Sequence, residues 1–263
     1  MIRITKFRCN SFEEHSYLVW AGKACVVIDP GFDCKEEFDA LDKSLRDNDI
    51  IPSAILLTHA HPDHVYGVHR LCEKFGIPVY VGRGEEVTLG ALHSLCANIG
   101  HPDAEDFSER IVWLGDGDGI FVSEGIVRVR KGADTDRRPD MPGGLEFKAL
   151  STPGHTAGGV SYLCREFRKQ DGATGNPDGK RDEADSQDGW KILFSGDTLF
   201  AGCIGRSDLP GGDYTALMQG IFTKLLCLDG SIDVLPGHGR ATTISDERMK
   251  NPFLQPFNEP YEE

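Results

Sequence analysis

Residues 58–64 read Thr58-His59-Ala60-His61-Pro62-Asp63-His64, three imidazoles and a carboxylate within one short segment. Imidazole and carboxylate are the ligands that borderline divalent metals take. A lone histidine would read as a solvated loop, a tag remnant or a helix cap. Four ligand-type side chains directly behind the apolar run Ala54-Ile55-Leu56-Leu57 do not. A strand over 54–57 would deliver them at its C-terminal end, where open α/β sheets place their sites.

Three later segments share this design: an apolar strand, a turn with glycine, and one ligand-type side chain at the tip. They are Ser151-Thr152-Pro153-Gly154-His155-Thr156, Phe194-Ser195-Gly196-Asp197-Thr198 and Leu235-Pro236-Gly237-His238-Gly239. Each alone reads as an ordinary turn. Together with the first segment they offer five imidazoles and two carboxylates, a count that suits two metal positions. His59, His61 and His155 can hold one ion, and Asp63, His64 and His238 the other. Asp197, with two oxygens, can bridge them. Such a set suits two divalent ions, zinc first, with iron or manganese as alternatives. Two close ions can share a hydroxide that is nucleophilic at neutral pH and then stabilise the oxyanion of an attacked carbonyl. The residues therefore imply hydrolysis of an activated acyl or phosphoryl bond.

The elements that must position these groups follow from periodicity. Residues 1–7 alternate like a strand, and 16–20 and 24–28 flank Gly22-Lys23 as a hairpin. Phe38, Leu41 and Leu45 carry helical spacing over 35–47. Residues 64–75 read as one helix stopped by Gly76-Ile77-Pro78, with a strand at 79–81 and a helix over 85–97. Short strands are expected at 111–114, 120–122, 126–129, 145–150, 160–164, 191–194 and 232–235. Amphipathic helix is expected over 214–228 and a short helix near 245–250. Residues 131–144 form a smaller polar loop. The stretch 165–189 is polar, charged and rich in Gly and Asp, which predicts a flexible insertion within a single domain spanning 1–263.

Bulk properties narrow the function. The chain has 263 residues and a formal net charge of −14, with 39% hydrophobic and 27% charged residues, an ordinary globular composition. The acidic balance argues against nucleic acid and against an anionic membrane as partners. No apolar run approaches membrane-spanning length, and the N-terminus shows no secretory h-region. The eight cysteines are scattered without a C-x-x-C pair. Reduced, mostly buried thiols and a cytoplasmic location are the expectation.

The T-H-x-H-x-D-H segment with a later His, Asp and His resembles the metallo-β-lactamase superfamily, over almost the whole chain. The resemblance implies an α/β four-layer αβ/βα sandwich, two mixed β-sheets packed face to face with helices outside and the metal site at one edge. The stretch Gly196-Asp197-Thr198-Leu199-Phe200-Ala201-Gly202-Cys203-Ile204-Gly205-Arg206-Ser207-Asp208-Leu209-Pro210-Gly211-Gly212-Asp213 is similar to the glyoxalase II-like hydrolases. So is the ending Leu235–Gly239 with Thr242-Thr243-Ile244, Glu247 and Asn251-Pro252-Phe253. That implies a thioester hydrolase for a small-molecule substrate such as S-D-lactoylglutathione, in which a metal-bridging hydroxide attacks the carbonyl and a thiolate leaves. Asp63 would orient the hydroxide as well as bind metal. The chain departs from full-length glyoxalase II in lacking the C-terminal helical domain that grips glutathione, as do the shorter members. Arg206 either contacts an anionic substrate group or ties down its own loop.

Other chemistries use related ligands. Persulfide dioxygenases resemble the chain and hold one Fe(II) on residues corresponding to His59, His155 and Asp197. β-Lactamases of this fold commonly carry Cys at the place of Asp197. A lactonase or an RNA-processing enzyme would use a similar set, the latter against the acidic balance. A purely structural zinc site is usually closed by four ligands, often thiolates, whereas seven N/O ligands leave open positions.

Overall fold

The structure, a computed structural model, describes residues 1–132, 139–168 and 189–255. It contains two large mixed sheets, each built from a contiguous stretch of chain. The first holds β1 (Arg3–Cys9), β2 (Glu14–Ala21), β3 (Ala24–Ile28), β4 (Ile55–Leu56), β5 (Val79–Gly82) and β6 (Ile111–Leu114), in that spatial order. Strands β1 to β3 are antiparallel, and β3 to β6 are parallel. The second holds β7 (Gly119–Ser123), β8 (Ile126–Arg130), β9 (Gly144–Ser151), β10 (Val160–Phe167), β11 (Ile192–Gly196), β14 (Asp233–Pro236) and β15 (Thr242–Thr243), ordered β15-β14-β11-β10-β9-β7-β8. A small ribbon, β12 (Leu199–Phe200) with β13 (Cys203–Ile204), stands apart.

Period-2 alternation explains the layers. In β2 and β3, Tyr17, Val19, Val26 and Ile28 face the second sheet and pack with its Ile120, Phe147, Tyr162 and Phe194. Leu18, Trp20, Cys25 and Val27 face outward. There they meet Phe38, Leu41 and Leu45 of α1 (Lys35–Asn48) and Val68, Leu71 and Cys72 of α3 (Val68–Phe75). On the far side, Leu163, Leu193 and Val234 are covered by Leu217 of α5 (Tyr214–Gly220), by Ile221 and Leu225, and by Ile244 of α6 (Ile244–Lys250). Helices, sheet, sheet, helices make the expected four layers. Strands apolar on both faces are what this burial demands.

Two tyrosines join the sheets where the ligand segments begin. Tyr162 of β10 donates from its hydroxyl to the Leu57 carbonyl at 2.9 Å, two residues before His59. Tyr17 of β2 donates to the Pro236 carbonyl at 2.6 Å, two residues before His238. A backbone bond from Val160 N–H to Thr58 O, 2.8 Å, adds a third tie.

Several boundaries differ from the sequence expectation. The helix expected over 64–75 is two, α2 (Pro62–Val65) and α3, broken at Tyr66–Gly67. Gly67 N–H leaves the helix ladder to donate to Pro30 O at 2.8 Å, and a Cβ there would lie 2.9 Å from that oxygen. The expected helix over 85–97 is α4 (Glu86–Asn98). The helix over 214–228 ends at Gly220 and continues as a π turn, Ile221–Leu225. Residues 165–167, assigned to the polar insertion, extend β10 instead. Arg165 is ion-paired to Glu146 at 2.8 Å with its guanidinium over Trp190, and Phe167 is buried. Residues 169–188 of that insertion and 133–138 of the smaller loop lie outside the described residues. All eight cysteines are free, with Cys34, Cys203 and Cys227 exposed and the other five buried. No described helix is long and apolar enough to cross a membrane.

Candidate metal centre

Strand β4 ends at Leu56, and the chain then runs through Thr58 to His59, His61, Asp63 and His64, with Pro62 opening the single turn α2. Strand β9 leads to His155, β11 to Asp197 and β14 to His238. The structure brings all seven side chains together at one end of the sandwich. His59 Nε2 lies 3.1 Å from His61 Nδ1, and the His155 ring stands edge-on to both, 4.8 and 4.6 Å between centroids. His64 Nε2 lies 3.7 Å from Asp63 Oδ2, and His238 Nε2 lies 3.2 Å from the same oxygen. Asp197 reaches both groups. Its Oδ1 is 3.5 Å from His64 Nε2, and its Oδ2 is 3.7 Å from His155 Nε2 and 3.6 Å from His238 Nε2. The potential ligand atoms of His59, His61 and His155 lie within 4.8 Å of one another, as do those of Asp63, His64 and His238. Gly237 makes this convergence possible, because a Cβ there would lie 2.3 Å from Asp197 Oδ1 and 2.7 Å from His64 Cε1.

Four of the five rings are oriented from behind. His59 Nδ1 sits 3.1 Å from Thr58 Oγ1, His155 Nδ1 donates to Arg206 O at 2.7 Å, and His238 Nδ1 donates to Phe12 O at 3.1 Å. His64 Nδ1 lies 3.2 Å from Asp29 Oδ2. Asp29 also accepts from Thr58 N–H and Oγ1 at 2.7 and 2.6 Å, tying the end of β3 to the ligand segment. Such backing fixes the tautomer and direction of a metal-binding imidazole.

Toward the centre the polar atoms lack partners. His61 Nε2, His64 Nε2, His155 Nε2 and Asp197 Oδ1 are buried without a hydrogen bond. Buried polar atoms are costly to leave unsatisfied, so convergent lone pairs fit a divalent cation. In the first triad the electrostatics agree. Burial, then the neighbouring imidazoles, push His59 far below the usual histidine value and His61 down to about 3. Burial also lowers His155. All three rings are therefore neutral and offer lone pairs, as metal binding requires. Burial opposes ionisation of Asp197, but His64, His238 and His155 outweigh it and hold the carboxyl below its ordinary range. Burial likewise disfavours charge on His64, and Asp63 and Asp197 overcome it and raise that ring well above its usual value.

Three buried carboxylates in this region are absent from the sequence-based set. Asp29 is described above. Glu14 is fully buried in β2, with Oε1 3.8 Å from His64 Nδ1 and Oε2 accepting from Ser16 Oγ at 2.9 Å. Glu85 accepts from Ala60 N–H at 2.9 Å, Gly158 N–H at 3.0 Å and Thr156 Oγ1, bracing both ligand loops. Only Asp29, directly behind the apolar run 24–28, carries a local signal. Glu14, beside Glu13, His15 and Ser16, shows none in sequence, although it opens a strand whose eight positions are all buried. Arg206 lies at the site through its carbonyl alone. Its exposed guanidinium pairs with Asp208 through two bonds of 2.8 Å.

The metallo-beta-lactamase superfamily model matches residues 12–166. A hydroxyacylglutathione hydrolase of Haemophilus influenzae, GloC, is 31% identical over 247 residues, covering 93% of this chain and 94% of that protein. Among solved structures, the BLEG-1 B3 metallo-β-lactamase superposes with a TM-score of 0.71 at 29% identity, over 97% of this chain and all of the other (100%). The protein TTHA1623, in a di-iron-bound form, gives a TM-score of 0.66 at 30% identity, over 95% of this chain and 100% of its own.

Proposed function

The chain belongs to the metallo-β-lactamase superfamily, whose members are metal-dependent hydrolases, and from that premise we propose that it hydrolyses thioesters at a two-metal centre. The observation that carries the reading is the place of Asp197, within 3.5–3.7 Å of His64, His155 and His238 at once. One carboxylate reaching both triads is the arrangement that lets two ions work on one substrate. When bound, the ions supply Lewis acidity and a water of lowered pKa.

The chain's own groups do the rest. His59, His61 and His155, kept neutral by burial, hold the first position. Asp63, His64 and His238 hold the second, and Asp197 spans the two. Asp63 is held ionised: burial opposes this, but His64 and His238 lower its pKa. It therefore accepts a hydrogen bond from the incoming water and directs a lone pair at the thioester carbonyl. The thiolate is a good leaving group and needs little help from a general acid. Arg206 orients His155 through its carbonyl, while its exposed side chain is paired with Asp208.

Thioester specificity is supported by the GloC relative and by the glyoxalase II-like wording of residues 196–213. Zinc is the proposed ion, with the di-iron relative favouring iron as the alternative. The BLEG-1 likeness favours one second reading, opening of a β-lactam. Eight unpaired cysteines support a reducing, cytoplasmic setting, and the charge of −14 supports a small-molecule substrate over nucleic acid.

The test is a substrate panel on metal-free protein reloaded with zinc, iron or manganese. Thiol release from S-D-lactoylglutathione and simpler acyl thioesters is followed beside opening of a β-lactam and a lactone, with metal content measured. Thioester turnover with close to two ions per chain is expected. Activity confined to the β-lactam or lactone would displace the reading. So would one iron per chain with oxygen consumption on a persulfide.

A further inference from the structure

We infer that Asn10 is a positioning residue for the second metal position, fixing Asp63 and His238 together from the turn between β1 and β2. The inference rests on the two-metal reading above and adds to it which residue sets one position independently of the other.

Every polar group of the Asn10 amide is engaged toward that position. Its Nδ2 donates to the Asp63 carbonyl at 2.9 Å and to the Gly31 carbonyl at 3.0 Å. Its Oδ1 accepts from Phe12 N–H at 3.0 Å. The other side of the Phe12 residue, its carbonyl, accepts from His238 Nδ1 at 3.1 Å. One side chain thus grips the backbone of one ligand and the N–H of the residue whose carbonyl orients another. With Nδ1 bonded to the Phe12 carbonyl, the ring turns its Nε2 edge toward Asp63 Oδ2, 3.2 Å away.

The node is built to close tolerance. Asn10 sits at φ 48°, a left-handed backbone that asparagine tolerates better than most residues. Its own N–H is anchored to Glu37 Oε1 of α1 at 2.7 Å. A Cβ on Gly31 would fall 2.1 Å from Asp63 O and 2.9 Å from Asn10 Nδ2, so only glycine leaves room for these groups to meet. None of these bonds touches the first triad. His59 is backed by Thr58 and His155 by the Arg206 carbonyl.

The selectivity makes the inference testable by zinc affinity, measured by chelator competition on the metal-free full-length protein. Asn10→Gly keeps the left-handed turn without strain and removes all three side-chain bonds. It is placed in two backgrounds: His61→Ala, which cripples the first position, and His238→Ala, which cripples the second. In the His61→Ala protein, Asn10→Gly should weaken zinc binding by about 10–100-fold, the range for groups that orient metal ligands. In the His238→Ala protein it should leave zinc affinity unchanged. Equal losses in both backgrounds, or no loss in either, overturn the inference. If Asn10→Gly does not fold, Asn10→Asp keeps the acceptor for Phe12 N–H and gives the same two-background comparison. Wild-type protein binding fewer than two zinc ions sinks the two-metal reading itself, a result distinct from either outcome for Asn10.

Discussion

At the scale of residues, Asp197 carries the heaviest duty, because it alone spans both triads. Asp197→Ala should lower kcat/KM for a thioester by at least about 1,000-fold, at or beyond the loss of one preorganised electrostatic contact. It should also reduce bound metal while far-UV circular dichroism stays native. Retained turnover with two ions would count against its bridging role. The convergence of seven candidate ligands was legible in sequence because each segment follows an apolar strand and carries a glycine or proline turn, so local context marks it. The residues behind them were not. Asn10, Glu14, Asp29 and Glu85 act across 53, 50, 29 and 25 positions of chain. A single amide or carboxylate has no periodicity to betray a distant partner.

At the scale of elements, the weakly patterned pieces are held by specific polar ties. The ribbon β12–β13 has two-residue strands, too short for any alternation to announce them. Its position depends on Glu247 of α6, which accepts from Gly202 N–H at 2.8 Å, Thr242 Oγ1 at 2.6 Å and Asn251 Nδ2 at 2.8 Å. Asn251 in turn donates to Cys203 O at 3.0 Å. Glu247→Ala strands three donors in a buried place and should cost about 3 kcal/mol in urea unfolding. A loss below about 0.5 kcal/mol, the scale of an ordinary surface substitution, would show that water replaces the carboxylate. The same logic explains the broken helix at Gly67. Helical spacing over 64–75 was real, but a backbone bond to Pro30 and the lack of room for a side chain outrank propensity there.

For the whole molecule, the two sheets meet through apolar side chains, and the ties made by Tyr17, Tyr162 and Val160 lie at the ligand-bearing ends. The motif resemblance implied the four layers, and periodicity located most of their strands and helices, while the pairing of Tyr162 with Leu57 and of Tyr17 with Pro236 was beyond the reach of both. Tyr162→Phe removes a buried donor from the Leu57 carbonyl without opening a cavity. It should cost about 1–2 kcal/mol of stability. It should also weaken zinc binding, since it frees the strand end that carries His59. Unfolding curves and zinc titration of the same variant check both, and an unchanged affinity would confine the tyrosine to stability alone.

The division of the ligands between the sheets sets a mechanical tolerance. His59, His61, Asp63 and His64 belong to the first sheet, and His155, Asp197 and His238 to the second. Neither sheet owns a complete triad. Sliding one past the other by a single residue moves it about 3.3 Å, more than the whole length of a metal–nitrogen bond at about 2.1 Å. The interlocked core, with Tyr17 edge-on to Phe194 at 5.2 Å, is therefore also the gauge that keeps the jaws of this site in alignment. A slipped strand in the middle of either sheet would silence the chemistry outright.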